Sequence, residues 1–324
     1  MSVKRNVLRV AATTVASGLL ATGALALAGS ASASTLTAGY SFTTLDNTHD
    51  VTFNQLLGIN DEGTIAGYFG SGMPGHPNKG YVLLPPYGQH GYVNENFPGS
   101  AQTQVTGLNN RGVTVGFWVD AQGDNFGFVN VHGHFRQVDF PTGHPASPAV
   151  DQLLGVNDRG IAVGFYTDAQ GTNHGYEYNI NTGSYSTVTD PKDPGASLTV
   201  AGINDSGDVT GFYTAADGTT DGFLMLRYAH GRHCPFIQLA VPGASATTAL
   251  GVNGSDEVVG TYTDGSGSSA TMHGFTWTPQ GGFTTVDDPH GVGATTINGV
   301  NDRGDLVGFY TDAAGNTDGF LAQP

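Results

Sequence analysis

Cys234 is the only cysteine in the 324 residues, so no intramolecular disulfide can form, and stability must come from packing and topology. Basic residues are scarce as well: 11 Lys and Arg face 27 Asp and Glu, a formal charge of −16. A chain of that sign is repelled by phosphate backbones and anionic lipid, which argues against nucleic acid and bare membrane as partners. Charged residues of both signs make up only 12% of the chain, too few for a disordered acidic tail. After residue 34 no segment keeps a helical apolar period over three turns, which excludes a helical fold. Long apolar runs are missing too, with one exception.

That exception lies at the start. Lys4, Arg5 and Arg9 open the chain without an acid, an apolar stretch runs from Val10 to Ala28, and Ala31-Ser32-Ala33 follows. A basic start, an apolar middle and a small-residue cleavage site describe a secretory signal peptide over residues 1–33. A membrane anchor would need about 20 apolar residues and no cleavage site. The expected location is therefore extracellular. Without the leader, 8 basic residues face 27 acidic ones, a formal charge of −19.

Glycine is abundant instead, with 50 copies, about twice ordinary usage. Much of it is periodic. The triplet Gly-apolar-Asn begins at Gly58, Gly107, Gly155, Gly202, Gly251 and Gly299, at spacings of 49, 48, 47, 49 and 48 residues. Nine residues after each stands another glycine: Gly67, Gly116, Gly164, Gly211, Gly260 and Gly308. A Gly-aromatic pair follows at Gly80, Gly127, Gly175, Gly222, Gly274 and Gly319, and then a short strand such as Phe283–Asp287. The connections carry turn chemistry, as in Asn301-Asp302-Arg303-Gly304 and Thr311-Asp312-Ala313-Ala314-Gly315.

Four antiparallel strands per 40–50 residues is the unit of a propeller blade. The expected fold is all-β, a six-bladed β-propeller over residues 34–324. The last repeat stops at Asp318-Gly319-Phe320-Leu321 without its fourth strand, while Tyr40–Asp46 is that strand without the other three. The N-terminal strand is therefore expected on the outer edge of the sixth blade, closing the ring and hiding sheet edges. The expected state is a monomer.

The run Gly-Val-Asn-Asp-Arg-Gly-Asp-Leu-Val-Gly-Phe-Tyr-Thr-Asp at 299–312, with His273-Gly274-Phe275 before it, resembles the bacterial extracellular repeat proteins of the HAF family. The resemblance covers residues 42–321. Gly stands where the family's name-giving triplet has Ala, and Asp, Lys or Phe replaces His in four copies. It implies export and β-repeats, with no established activity.

Asp61, Asp158, Asp205 and Asp302 follow the repeat Asn, and Asp120, Asp168, Asp264 and Asp312 sit in the second turn. Calcium would take such carboxylates, yet no Asp-x-Asp-x-Asp-Gly loop occurs and turn chemistry explains six equal copies better. No cofactor is expected, with calcium the one weaker alternative, and no metal ligand is assigned. His230, His233 and Cys234 offer zinc three neighbours, but in a solvated loop where a closed site wants four. Gly70–Gly75 fits G-x-G-x-x-G by letter but lacks the following helix. There is no Gly-x-Ser-x-Gly and no His-Glu-x-x-His. Glycosidase chemistry needs two carboxylates, and among Glu62, Glu95, Glu177 and Glu257 only Glu177 attracts notice, as a solvent-facing strand residue.

Three residues before each repeat glycine stand Gln55, Gln104, Gln152, Thr199, Thr248 and Thr296. Either these six line the central channel as a ligand-binding polar funnel, or they form a hydrogen-bonded ring that ties blades together. The functional expectation is a secreted binding or interaction module for an extracellular polysaccharide or a surface protein. The alternative is a carbohydrate-active enzyme, a glycoside hydrolase or lyase, with its site on a propeller face.

Overall fold

The computed structural model describes residues 39–142, 145–214, 217–227 and 235–324. The leader at 1–33 and the His230, His233, Cys234 cluster lie outside them. The described residues are all-β, with two single 3-10 turns, Gln89–Gly91 and Gly267–Ser269, as the only helical elements among them. None of those elements is long and apolar enough to cross a membrane.

The strands form four sheets of four antiparallel strands and one sheet of eight. The eight-stranded sheet consists of two antiparallel fours joined by one parallel bridge, Thr220 to Ala246. Each set of four begins with an inner strand carrying the Gly-apolar-Asn signal: Asn54–Ile59, Gln102–Leu108, Asp151–Val156, Leu198–Ile203, Ala246–Val252 and Thr295–Val300. We number the sets one to six by these strands. In set one the order runs outward through Ile65–Phe69, Lys79–Leu83 and Tyr92–Asn94. In set six the outermost place is filled by Ser41–Thr44, antiparallel to Thr317–Gln323, the partner that its displaced position in the repeat predicts.

Parallel bridges link the third strand of one set to the start of the next inner strand, as Asn125 does to Val150 and Met272 to Ala294. The bridge Thr317 to Phe53 makes the same link between set six and set one. Buried Leu, Val, Phe and Tyr fill the spaces between neighbouring sheets. One such cluster joins Val115, Val129 and Val138 of set two to Leu153, Val156, Ala162 and Tyr176 of set three.

Two glycine rows explain why the repeat signal is so plain. A Cβ on Gly164 would sit 1.9 Å from the Gln152 carbonyl oxygen, and one on Gly116 2.0 Å from that of Gln104. The second strand has no room there for any side chain. The row at the inner strands is crowded between neighbouring sets: a Cβ on Gly107 would meet the Gly155 Cα at 3.0 Å, and one on Gly299 the Gly58 Cα at 3.1 Å. These contacts bring the six inner strands around one axis.

Candidate functional site

The axis is lined from the inner strands. Every inner strand carries a β-bulge at the residue just before its repeat glycine, between Leu56 and Gly58, Val105 and Gly107, Leu153 and Gly155, Val200 and Gly202, Ala249 and Gly251, and Ile297 and Gly299. A bulge inserts one unpaired residue and re-aims its side chain. The bulged residues Leu57, Thr106, Leu154, Ala201, Leu250 and Asn298 converge on one end of the axis. Asn298 Nδ2 and Thr106 Oγ1 donate there to the Leu56 and Leu153 carbonyls. This end is mostly apolar.

The other end is polar and is organised by the repeat asparagine. Each asparagine donates from Nδ2 to the main-chain carbonyl of its counterpart in the next set: Asn60 to Asn109, Asn109 to Asn157, Asn157 to Asn204, Asn204 to Asn253, Asn253 to Asn301, and Asn301 to Asn60. Their lengths are 2.9–3.2 Å. Meanwhile Oδ1 accepts N–H groups within its own turn, those of Arg159 and Ile161 in the case of Asn157. One small amide thus holds its own turn and the neighbouring set. Aspartate could not donate in this way.

A second row lies beside it. The N–H of Asp61 donates to Asn110 Oδ1, that of Asn110 to Asp158, that of Asp158 to Asp205, that of Gly254 to Asp302, and that of Asp302 to Asp61. The sequence breaks at Gly254, which has no side chain to offer Asp205. Four carboxylates therefore surround a mouth of about 90 Å³, each accepting a backbone N–H. Among the described residues no three of His, Cys, Asp and Glu come together to hold a metal. In the second turns Asp120, Asp168 and Asp312 accept the N–H groups two and four residues on, which is Asx-turn chemistry.

The six glutamine and threonine positions do not line the channel. Gln55, Gln104, Gln152, Thr199 and Thr296 are buried and Thr248 is half-buried. The bulge is the reason: it inserts an extra residue after them, so the side chain reaching the axis is the bulged one. Three of them, Gln55, Gln152 and Thr199, bond to other side chains. Tyr68 donates to Gln55 Oε1 at 2.8 Å within set one. Across sets, Gln152 Nε2 donates to Asn125 Oδ1 at 3.4 Å and Asn173 Nδ2 to Thr199 Oγ1 at 3.1 Å. None of the six is among the residues lining either end of the axis.

Glu177 also departs from expectation. It is buried rather than solvent-facing, paired with Arg227 and accepting from Ser186 Oγ at 3.1 Å. A cation supplied by the neighbouring set makes its burial tolerable.

The larger cavities lie away from the axis, where the chain leaves one set for the next. In set one a cavity of about 230 Å³ is walled by Phe69, Tyr81 and Tyr92 and rimmed by Asn47, Gln89 and Asn94. Tyr81 is 1% exposed, and neither its hydroxyl nor that of Tyr92 has a hydrogen-bond partner. Asp46 lies close by, its carboxyl pushed up to about 6 by burial against the pull of the Gly319 N–H. In set three a cavity of about 210 Å³ is lined by Phe126, Asp139, Phe140, Asp151 and Tyr166. Asp151 accepts from Tyr176 Oη at 2.5 Å and from the Phe140 N–H at 2.6 Å. Burial pushes its carboxyl up to about 7 despite those bonds, with Asp139 adding to the rise.

The sequence reading missed these cavities. Their signal lay in the residue after the fourth strand, which reads Asn47, Phe97, Phe140, Asp190, Val241 and Asp288 through the six copies.

No protein-family model and no curated protein matches the chain. Among solved structures it is similar to a fungal lectin from Aleuria aurantia, described as a six-bladed β-propeller with a fucose recognition mode. That likeness has 11% identity, 84% of this chain and 91% of the lectin covered, and a TM-score of 0.49. It is similar to AofleA from Arthrobotrys oligospora at 13% identity, with 87% and 85% covered and a TM-score of 0.49. Virginiamycin B lyase from Staphylococcus aureus gives 10% identity, 86% and 88% covered, and a TM-score of 0.46. Likenesses at these scores assign no function to this chain.

Proposed function

We propose that this protein is an exported, closed six-bladed β-propeller of the HAF-repeat kind that binds an extracellular polysaccharide through the lateral clefts between its blades. One observation carries the reading: the asparagines of the axial mouth repeat one bonding pattern six times, while the residue that enters each cleft from the connecting chain varies among the copies. The polar groups of the axial mouth are occupied in repeated structural bonds, six times over for the asparagines. The clefts hold the larger cavities, and that of set one combines aromatic walls with an amide rim, the mixture that small-molecule sites favour. Closure is supported by the Thr317 to Phe53 bridge and the return of the asparagine bonds from Asn301 to Asn60.

A second reading, a carbohydrate-active enzyme, is favoured by one group. Asp151 beside Tyr176 is a carboxyl held near neutrality in a cavity, as a general acid requires.

Incubating the protein with insoluble polysaccharides and cell-wall preparations, with calcium and with chelator, separates these readings. Retention without released sugar is expected. Released sugar that disappears in Asp151→Asn would establish the enzyme instead. Loss of retention in chelator would bring back calcium, and absence of both retention and release would point to a protein partner.

A further inference from the structure

The clefts of the first three sets are built from equivalent residues. Phe69, Trp118 and Tyr166 stand opposite Asn54, Thr103 and Asp151 in register. Tyr81, Phe128 and Tyr176 stand opposite the glycines Gly67, Gly116 and Gly164. Tyr92, Phe135 and Tyr185 follow on the outermost strands. Each set therefore presents three aromatic rings to one cleft.

A fourth residue enters from the connecting chain, and its place is pinned by a repeated bond. The N–H groups of Asn47, Phe97 and Phe140 donate to the side chains of Asn54, Thr103 and Asp151, at 2.8, 3.1 and 2.6 Å. In set two the Phe97 ring lies parallel to Trp118 at 4.6 Å and edge-on to Phe135 at 5.8 Å. In set three Phe140 stacks on Tyr166 at 4.7 Å and meets Tyr185 edge-on at 5.4 Å. In both sets a phenyl ring completes the aromatic cluster. In set one that residue is Asn47, whose Oδ1 turns to the N–H and Nδ1 of His49, and the His49 ring stacks on Phe69 at 5.8 Å as one wall of the remaining space. The space bounded by Phe69, Tyr81 and Tyr92 is left as the cavity of about 230 Å³.

We propose that this cavity is the saccharide site of the protein, holding one neutral pyranose unit in the place taken by a phenylalanine ring in sets two and three. The inference rests on the polysaccharide-binding reading above and names its site. A pyranose has a face of C–H groups that suits an aromatic wall and a rim of hydroxyls that needs donors and acceptors. Asn94 Nδ2 and the Lys79 ammonium supply them at the rim of this cavity. The volume falls below the roughly 300–1,000 Å³ of sites for drug-sized ligands, so the cavity takes one ring of the polymer. The net charge of −16 disfavours polyanionic chains, which selects neutral sugars.

The test uses the full chain, a panel of neutral methyl pyranosides followed by calorimetry, and retention on neutral polysaccharides. The variant Asn47→Phe copies the arrangement of sets two and three. It is expected to lose glycoside binding by about 100-fold or more, while Asn94→Ala, which removes a rim amide from an exposed position, weakens binding by roughly 10-fold, one hydrogen bond's worth. Circular dichroism checks both folds, and Asn94→Ala carries the test alone if Asn47→Phe does not fold. Polysaccharide retention that survives unchanged in both folded variants would overturn the site while leaving polymer binding standing. Wild-type protein that binds neither glycoside nor polysaccharide would overturn both.

Discussion

The axis and the clefts of this molecule follow opposite rules. At the axis six copies repeat one solution: an asparagine that holds its own turn and the next set, and two glycine rows that let strands approach. At the clefts one position varies among the copies, which read Asn47, Phe97, Phe140, Asp190, Val241 and Asp288 there. A role shared by every copy is architectural, because geometry imposes it on each. A binding site is needed once, so it shows as a break in the pattern.

The hardest way to break the axial rule is to put a side chain where none fits. Gly164→Ala places a Cβ 1.9 Å from the Gln152 carbonyl oxygen, backbone against side chain. A loss of more than about 4 kcal/mol is expected, read as unfolding in urea at concentrations where the wild type stays folded.

The clefts should answer to pH. Asp151 is raised to about 7 and Asp46 to about 6, chiefly by burial, against about 3.9 in an unfolded chain. The native state therefore holds protons that the unfolded state releases. The stability these groups contribute is full below about pH 4 and is lost as pH rises through about 7. Thermal unfolding is expected at a lower temperature at pH 8 than at pH 5, with at most about 3 kcal/mol of the difference from Asp151. Asp151→Asn should flatten that dependence, and an unchanged slope would refute the assignment.

The smallest effect comes from repairing the axis. Gly254 interrupts the second row, and its Cβ would lie 2.9 Å from the Asp302 carboxylate oxygens, the movable end of a side chain. Gly254→Asn gives the Asp205 N–H an acceptor, as Asn110 does for Asp61. A gain of about 0.5 kcal/mol is expected, measured as a shift in the denaturation midpoint.

Much of the architecture is written in short range. Turn residues, glycine spacing and alternation act within four to ten residues, so the strands and their sets were legible from the repeat. The displaced strand Tyr40–Asp46 could be matched to its partner because the last copy lacks one. The β-bulge before each repeat glycine left no comparable mark. It depends on six strands meeting at one axis, and it decided that Leu57 and its counterparts, not Gln55 and its counterparts, face the channel. Glu177 looked exposed because its cation, Arg227, comes from the neighbouring set, 50 residues further along the chain.

The sequence by itself determined the repeat, its four strands, its turns and the glycines that only close backbone contact explains, since each is a local requirement repeated six times. Only the tertiary structure decided which side chains face the axis, which are buried between sheets and which cleft stays open. Those outcomes depend on contacts between residues about 48 positions apart, and no local pattern encodes the space left when neighbouring sheets pack.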